Sequence, residues 1–322
     1  MRVVRVHAYG GRERLRLDEL PTPEAGANEV RASVAAAGVN FIDVYHRTGL
    51  YKLPLPLGIG IEGAGTVEAV GADVRDVAVG DRIAWVQVQG SYATHALVPA
   101  ERVVKLPDGV DLREGAALLE HGMTAHYLSH STYAVKAGDT CLVHAAAGGV
   151  GALLVQLAKL RGARVIGTVS SEAKERRARE AGADEVIRYT EVDFESEVRR
   201  LTGGKGVSVV YDGVGKATFL KSLGCLARRG TLVWYGQASG PPDPLDPQLL
   251  QQKGSLYLTR PSLIHYTATR EEYQESARAV LDLYTQGKLR LRIDRTFPLE
   301  QAAAAHASIE SRETMGKVLL LP

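Results

Sequence analysis

A turn of small residues between a short apolar strand and an apolar helix constrains this chain more than any other feature. The turn covers residues 145–151, the strand is expected over 139–144, and apolar residues at helical spacing follow over 150–160. A pyrophosphate can approach the backbone N–H groups at such a helix start, where the helix dipole also favours negative charge. Ala146 stands where the first glycine of the dinucleotide-binding turn is usual, and a Cβ at Gly148 would obstruct the approach. The turn predicts a dinucleotide site; the alternative is a structural turn that binds nothing.

The rest of the chain divides into a β-rich beginning, an alternating middle and a mixed end. Short β-branched runs interrupted by Gly and Pro continue to about Leu119 and predict an all-β region. A helix is predicted from near Glu120 through His130, and strands then alternate with helices up to a strand over 230–235. A sixth parallel strand is expected at 255–258, and two strands are expected to frame a helix near 299–309. Because 322 residues exceed what one hydrophobic core usually spans, we expect two domains; the alternative is a single large domain.

Charge and composition exclude several classes of protein. The formal net charge of +2 comes from 39 basic and 37 acidic residues spread along the chain, which argues against nucleic acid as a partner. Eighteen apolar residues never run together, so no membrane association is expected. The two cysteines, Cys141 and Cys225, lie in apolar surroundings and favour buried thiols in a reducing, cytoplasmic compartment.

The end of the second strand of the alternating region indicates which nicotinamide cofactor would bind. NAD enzymes place an acid there to bind the ribose 2′-hydroxyl, whereas this chain has Thr168-Val169-Ser170-Ser171. Hydroxyl groups followed by Lys174 suit a 2′-phosphate, so we expect NADPH rather than NADH. Arg176 and Arg177 either assist or form a solvated helix face, and the sequence does not distinguish the two.

Seven segments of the chain carry a resemblance to a known family. The chain resembles the medium-chain dehydrogenase/reductase superfamily and, within it, the zinc-free quinone oxidoreductases related to zeta-crystallin. The segments are GVNFIDVY (38–45), GIEGAG (60–65), GDR (80–82), HAAAGGVG (144–151), YDGVG (211–215), KGSLY (253–257) and TRPS (259–262). The resemblance implies an α/β protein with a GroES-like β-rich catalytic domain and an inserted Rossmann domain with a doubly wound parallel sheet. The first domain would comprise residues 1–122 completed by 266–322, and the second 123–265, with nicotinamide and substrate between them.

Metal binding is not expected. Where zinc-dependent relatives carry a cysteine and a histidine ligand, this chain has Asn40 and Ile61, and neither is an effective zinc ligand. Two cysteines cannot supply a four-cysteine structural site. His126 and His130 are four residues apart on a predicted helix, but they lack the glutamate and the third ligand of a zincin.

Without a Lewis acid, a conjugated acceptor is easier to reduce than a simple ketone. Hydride addition to a quinone gives a delocalised oxyanion that needs only hydrogen-bond donors and a proton. By resemblance, Asn40 and Tyr45 line the cleft, and Tyr51 and Arg260 lie near the substrate; aromatic packing is the alternative for both tyrosines. The cofactor is expected, by the turn and by resemblance, to contact Asn40, Tyr45, Tyr127, Ala146, Gly148, Gly149, Val150, Gly151, Ser170, Lys174, Tyr189, Val214, Tyr235, Gln237, Ser262, Leu263 and Arg312.

Three functions follow from this pattern. The first is an NADPH-dependent quinone oxidoreductase that transfers hydride to a quinone without zinc. An NADPH-dependent alkenal or enoyl reductase would use the same scaffold and donor. A crystallin-like protein that binds NADPH without catalysis belongs to a different class. The resemblance also implies a homodimer formed through edge pairing of the Rossmann sheets.

Overall fold

The computed structural model describes residues 1–322, whose strands and α-helices we number in chain order. The strands are β1 (Arg2–Val6), β2 (Leu15–Glu19), β3 (Glu29–Val39), β4 (Leu57–Gly58), β5 (Glu62–Val70), β6 (Arg82–Val86), β7 (His95–Pro99), β8 (Val104–Lys105), β9 (Thr140–Val143), β10 (Arg164–Val169), β11 (Glu185–Arg188), β12 (Val207–Asp212), β13 (Leu226–Trp234), β14 (Tyr257–Thr259), β15 (Ile293–Pro298) and β16 (Lys317–Leu321). The helices are α1 (Phe41–Thr48), α2 (Leu112–Tyr127), α3 (Gly149–Leu160), α4 (Glu172–Glu180), α5 (Phe194–Leu201), α6 (Phe219–Cys225), α7 (Gln248–Gln252), α8 (Leu263–Tyr266), α9 (Arg270–Thr285) and α10 (Ala302–Glu310).

The chain divides into two compact units. Unit 1 comprises Met1–His121 and Thr269–Pro322, and unit 2 is the continuous segment Gly122–Ala268. No helix in the chain combines the length and the apolar character that crossing a membrane requires.

Unit 2 is built around one parallel sheet. Its six strands lie in the order β11-β10-β9-β12-β13-β14, which is the doubly wound order of a dinucleotide-binding fold. The central strands β9, β10 and β12 are almost wholly buried, as expected where helices cover both faces of such a sheet. Apolar side chains of β9, β10, β12 and β13 form the core. The predicted α/β fold class is confirmed, and β14 supplies the expected sixth strand. The strand order reverses between β9 and β12, where open α/β sheets bind their ligands.

Unit 1 combines strands from both ends of the sequence. A seven-stranded sheet runs β15-β16-β3-β5-β6-β8 with β7 also paired to β3, and a second sheet has the order β2-β1-β4. The C-terminal strand β16 pairs antiparallel with β3, so residues near position 319 lie beside residues near position 38. One core cluster draws on β1, β3, α10 and β16 together. The two strands predicted to frame a helix near 299–309 are β15 and β16, and the helix is α10.

Two helices correct the sequence-based prediction of an all-β region before Leu119. The first is α1, which begins after Asn40, where the backbone N–H of Asn40 donates to the Asp43 carboxylate at 2.8 Å, and ends at Gly49 with φ 78°. The second is α2, which begins at Leu112 rather than near Glu120 and is followed by a π-helical turn over Leu128–Thr132. The sequence-based prediction therefore missed α1 and began α2 too late.

Candidate active site

The turn of small residues opens directly onto the start of α3. Ala145 is exposed with φ 51°, and the N–H of Ala146 donates to the carbonyl of Thr168 at 3.2 Å. Gly148 is the residue before the first turn of α3, and no side chain caps that turn. A Cβ on Gly148 would meet only the carbonyl oxygen of Ala145, at 3.2 Å, whereas one on Gly151 would lie 2.2 Å from it. Gly151 is therefore required by the fold, while Gly148 leaves space in front of the helix.

The loop after β12 is fixed by one buried carboxylate. Asp212, fully buried, accepts the backbone N–H groups of Val214 at 2.8 Å and Gly215 at 3.0 Å through Oδ1. The ring of Tyr235 packs against the same loop, since a Cβ on Gly213 would lie 2.8 Å from it. Two residues predicted to contact the cofactor, Val214 and Tyr235, therefore lie on segments that pack together at the carboxyl ends of β12 and β13.

His144 connects this loop to the turn of small residues. Its Nδ1 lies 2.8 Å from Thr168 Oγ1, and its Nε2 lies 2.9 Å from Ser222 Oγ, which in turn lies 2.9 Å from Asp212 Oδ2. Burial lowers the pKa of His144, so the ring is neutral despite the nearby Asp212. His144 is 1% exposed and is therefore packed inside unit 2.

The end of β10 carries hydroxyl groups and no carboxylate. Ser171 caps α4 by accepting the N–H of Lys174, and Ser170 and Lys174 are half-buried beside it. The acids of this helix are engaged elsewhere: Glu172 pairs with Arg176 at 2.5 Å, and Glu175 pairs with Arg179. Arg176 and Arg177 both pair with glutamates on their own helix. The solvated-face interpretation suits Arg176, whose side chain is 63% exposed, but not Arg177, whose side chain is 13% exposed.

The other residues predicted for unit 2 lie in several settings. Tyr127 is buried and stacks on Tyr266 with ring centroids 4.5 Å apart. The guanidinium of Arg260 lies over the Trp234 ring at 4.7 Å, and its Nη1 donates to the Trp234 carbonyl at 3.1 Å. Gln237 and Leu263 are buried; Tyr189 and Ser262 are exposed.

Unit 1 holds the remaining predicted residues. Tyr45 and Tyr51 pack edge to face with ring centroids 5.2 Å apart. The two tyrosines therefore make the aromatic contact that was the alternative to a substrate contact, and this contact does not exclude a further role. Arg312 is exposed after α10 with φ 60°. Asn40 is 5% exposed at the start of α1, and its side-chain amide lies among charged groups.

A buried ion pair surrounds the Asn40 amide. Lys317 Nζ contacts Asn40 Oδ1 at 2.7 Å and pairs with Glu62 Oε2, and both charged side chains are 0% exposed. Asn40 Nδ2 donates to Glu62 Oε2 at 3.0 Å and, more weakly, to the Gly38 carbonyl at 3.3 Å. No role was predicted for Lys317 from the sequence, because 277 residues separate it from Asn40 and only the pairing of β16 with β3 brings the two together.

Two further carboxyl groups near this pair have raised pKa values. Burial, followed by the nearby charge of Glu62, raises the pKa of Glu120 to about 8, while Gln87 Nε2 donates to its carboxylate at 3.1 Å. Burial also raises the pKa of Asp43 to about 7, and its Oδ1 is buried without a partner. Neither residue was predicted from the sequence, since acids on apolar segments carry no signal of their partners.

No group of three or more His, Cys, Asp or Glu side chains is arranged to hold a metal ion. The rings of His126 and His130 lie 4.4 Å apart. Burial lowers the pKa of both, in His130 to about 4, so both are neutral at pH 7. The cysteines predicted to be buried thiols are both free and buried.

Family comparisons agree with this architecture. Residues 26–108 match the family described as alcohol dehydrogenase GroES-like domain, and residues 181–320 match the family described as zinc-binding dehydrogenase. These matches and the doubly wound sheet define the class: a medium-chain dehydrogenase/reductase.

Individual relatives narrow that class. The chain is 46% identical over 317 residues to a quinone oxidoreductase of Pseudomonas aeruginosa, with 98% of each chain covered. It is 44% identical to a 2-haloacrylate reductase of a Burkholderia species, with 98% of each covered. The solved structure of an Escherichia coli quinone oxidoreductase complexed with NADPH is 41% identical, covers both chains completely and has a TM-score of 0.98. The chain belongs to the quinone oxidoreductases of the medium-chain dehydrogenase/reductase superfamily.

Proposed function

We propose that this protein is an NADPH-dependent quinone oxidoreductase. The observation that carries the proposal is the uncapped start of α3 next to the end of β10, where Ser170 and Lys174 stand in place of a carboxylate. The relatives support it, because quinone oxidoreductases match the whole chain and one was solved with NADPH. The overall reaction is quinone, NADPH and a proton giving hydroquinone and NADP⁺.

The residues of unit 2 fit the cofactor. The backbone N–H groups of Gly149 and Val150 at the helix start suit the pyrophosphate, and the open side of Gly148 lets it approach. Lys174 and Ser170 suit the 2′-phosphate through charge-assisted hydrogen bonds. When bound, NADPH supplies the hydride. The further contacts proposed in unit 2 are Tyr127, Ala146, Gly151, Tyr189, Val214, Tyr235, Gln237, Ser262 and Leu263, and those proposed in unit 1 are Asn40, Tyr45 and Arg312.

The protein's own task in the reaction is to stabilise the oxyanion that forms on the substrate. We assign this task to hydrogen-bond donors of Asn40 and Tyr45, with Tyr51 and Arg260 contacting the substrate. The Asn40 amide can serve because its N–H contact to the Gly38 carbonyl is long, at 3.3 Å, and a developing oxyanion is the stronger acceptor. The proton that completes the hydroquinone comes from solvent or a nearby hydroxyl.

A second candidate is reduction of a conjugated carbon–carbon double bond. The 2-haloacrylate reductase that matches at 44% identity favours it, since its substrate by name is an activated alkene. Initial rates of NADPH oxidation with 1,4-benzoquinone, an alkenal and 2-chloroacrylate distinguish the two functions. Binding of NADPH without turnover on any acceptor would instead indicate the non-catalytic protein.

One substitution tests the cofactor assignment. Because Lys174 is the cation assigned to the 2′-phosphate, Lys174→Ala should raise the KM for NADPH about 10-fold or more and leave the KM for NADH unchanged. Arg176→Ala is the matched control, since Arg176 lies on the same helix and pairs with Glu172. Equal effects of both variants, or of one variant on both cofactors, would contradict the assignment.

We also propose a cytoplasmic homodimer. Reduced, buried Cys141 and Cys225 and an NADPH-dependent activity support the cytoplasm. The edge strand β14, which pairs only with β13 and exposes 57% of Tyr257, supports pairing between the sheets of two copies.

A further inference from the structure

The buried ion pair of Lys317 and Glu62 makes more polar contacts than stability alone requires. Burying an ammonium and a carboxylate is costly, and apolar residues of similar volume usually give equal or greater stability. Here the ammonium has three acceptors within reach: Asn40 Oδ1, Glu62 Oε2 and, at 3.5 Å, His121 Nε2. These three groups form a buried cation-binding site, and the ammonium of Lys317 is the cation that occupies it.

The fold makes room for this site at a specific glycine. A Cβ on Gly38 would lie 2.2 Å from Glu62 Oε2 and 2.6 Å from the Ala116 carbonyl oxygen, so only glycine admits the carboxylate. The second carboxylate oxygen, Oε1, accepts the backbone N–H of Glu120 at 2.8 Å. Glu62 is therefore anchored to α2 on one side and to Lys317 and Asn40 on the other.

The two charges determine how the Asn40 amide is oriented. An ammonium only donates, so it must face Asn40 Oδ1; a carboxylate only accepts, so it must face Nδ2. The amide cannot turn over without opposing both charges. The ammonium also draws electron density from Oδ1, which makes the amide N–H a stronger donor.

We propose that Lys317 and Glu62 are positioning residues that hold and polarise the Asn40 amide for the oxyanion of the reduced substrate. The inference rests on the role given to Asn40 in the proposed function. In this scheme the first ligand position of zinc-dependent relatives is filled by an amide, and the protein's own ammonium supplies the positive charge behind it. Neither Lys317 nor Glu62 needs to touch the substrate.

The test removes both charges together. Lys317→Met or Glu62→Gln alone leaves one buried charge unpaired and should lower the Tm. The double variant should recover most of the Tm and the wild-type Kd for NADPH. Its kcat with 1,4-benzoquinone should remain 10- to 100-fold low with KM changed less than 3-fold. A double variant with wild-type Tm and wild-type kcat would overturn the inference, because a merely structural pair predicts recovery of both.

A double-mutant cycle shows whether the pair acts through Asn40. In an Asn40→Ala background, removing both charges should reduce kcat no further; a further loss of the full size would overturn the inference. An unchanged kcat in Asn40→Ala alone would instead refute the role of Asn40 in the proposed function. Should the double variant not fold, Glu62→Asp retains both charges but retracts the carboxylate, and a kcat loss at unchanged NADPH affinity is then expected. Wild-type kcat in Glu62→Asp would count against the inference.

Discussion

Among single residues, Glu120 is buried, and its carboxyl group forms no ion pair. Its pKa of about 8 in the folded protein lies above its ordinary value of 4.5, so the folded state binds the proton more tightly than the unfolded state. Stability is therefore lost as pH rises from about 4.5 to about 8 and levels off above that. The buried, protonated carboxyl group is neutral at pH 7, which limits the negative charge around Lys317.

Replacing this acid with a neutral isostere should remove that pH dependence. We expect Glu120→Gln to raise the free energy of unfolding, relative to wild type, by about 4 kcal/mol more at pH 9 than at pH 5. Urea unfolding at the two pH values measures the difference. Glu101→Gln is the control, because Glu101 is exposed. Equal stability of Glu120→Gln and wild type at pH 9 would show that Glu120 is ionised without penalty.

Between neighbouring elements, Asp212 and His144 hold the ends of three strands in one arrangement. Asp212 ends β12 and fixes the loop that carries Val214, while His144 follows β9 and reaches Thr168 on β10. The two side chains meet through Ser222 on α6. The loops at the point where the strand order reverses are therefore not independent.

Removing the carboxylate of Asp212 should loosen the loop. Asp212→Ala leaves the N–H groups of Val214 and Gly215 without their acceptor, and we expect the Kd for NADPH to rise about 10-fold or more, measured by calorimetry. Asp184→Ala is a matched control: Asp184 also accepts a strand N–H, from Val165 at 2.7 Å, but it lies beyond the opposite, amino-terminal end of β10. If Asp212→Ala loses stability but retains NADPH affinity, Asp212 does not position the loop for the cofactor.

Local patterns predicted the elements whose signal lies within a few residues. The turn before α3 and the alternation of strands and helices were recognisable because glycine and apolar spacing act over short distances. Helix α1 also had a local signal, Asn40 and Asp43 at its start and Gly49 after its end, which was overlooked. The contact between Lys317 and Glu62 had none, since 255 residues separate them and the contact depends on strand pairing.

For the molecule as a whole, unit 1 is complete only when both chain ends are present. Strand β16 lies between β15 and β3, and α10 supplies His306, which lies 3.3 Å from the Tyr92 hydroxyl that donates to Asp43. Lys317, the cation of the buried pair, also comes from the C-terminal segment. In the sequence, unit 2 interrupts unit 1. The charged groups around Asn40 therefore come together only when residues from both ends of the sequence fold into the same unit.

The same molecule exposes one sheet edge that a second copy could cover. Strand β14 ends the sheet of unit 2, and an uncovered edge of this kind pairs readily with another chain. We expect Tyr257→Asp to convert the proposed homodimer to a monomer in light scattering while leaving the Tm of the monomer measurable. Leu220→Asp is the control, because Leu220 is also 57% exposed but lies on α6. A dimer that survives Tyr257→Asp and dissociates with Leu220→Asp would move the interface from the sheet edge to the helical face, and a monomeric wild type would refute the dimer itself.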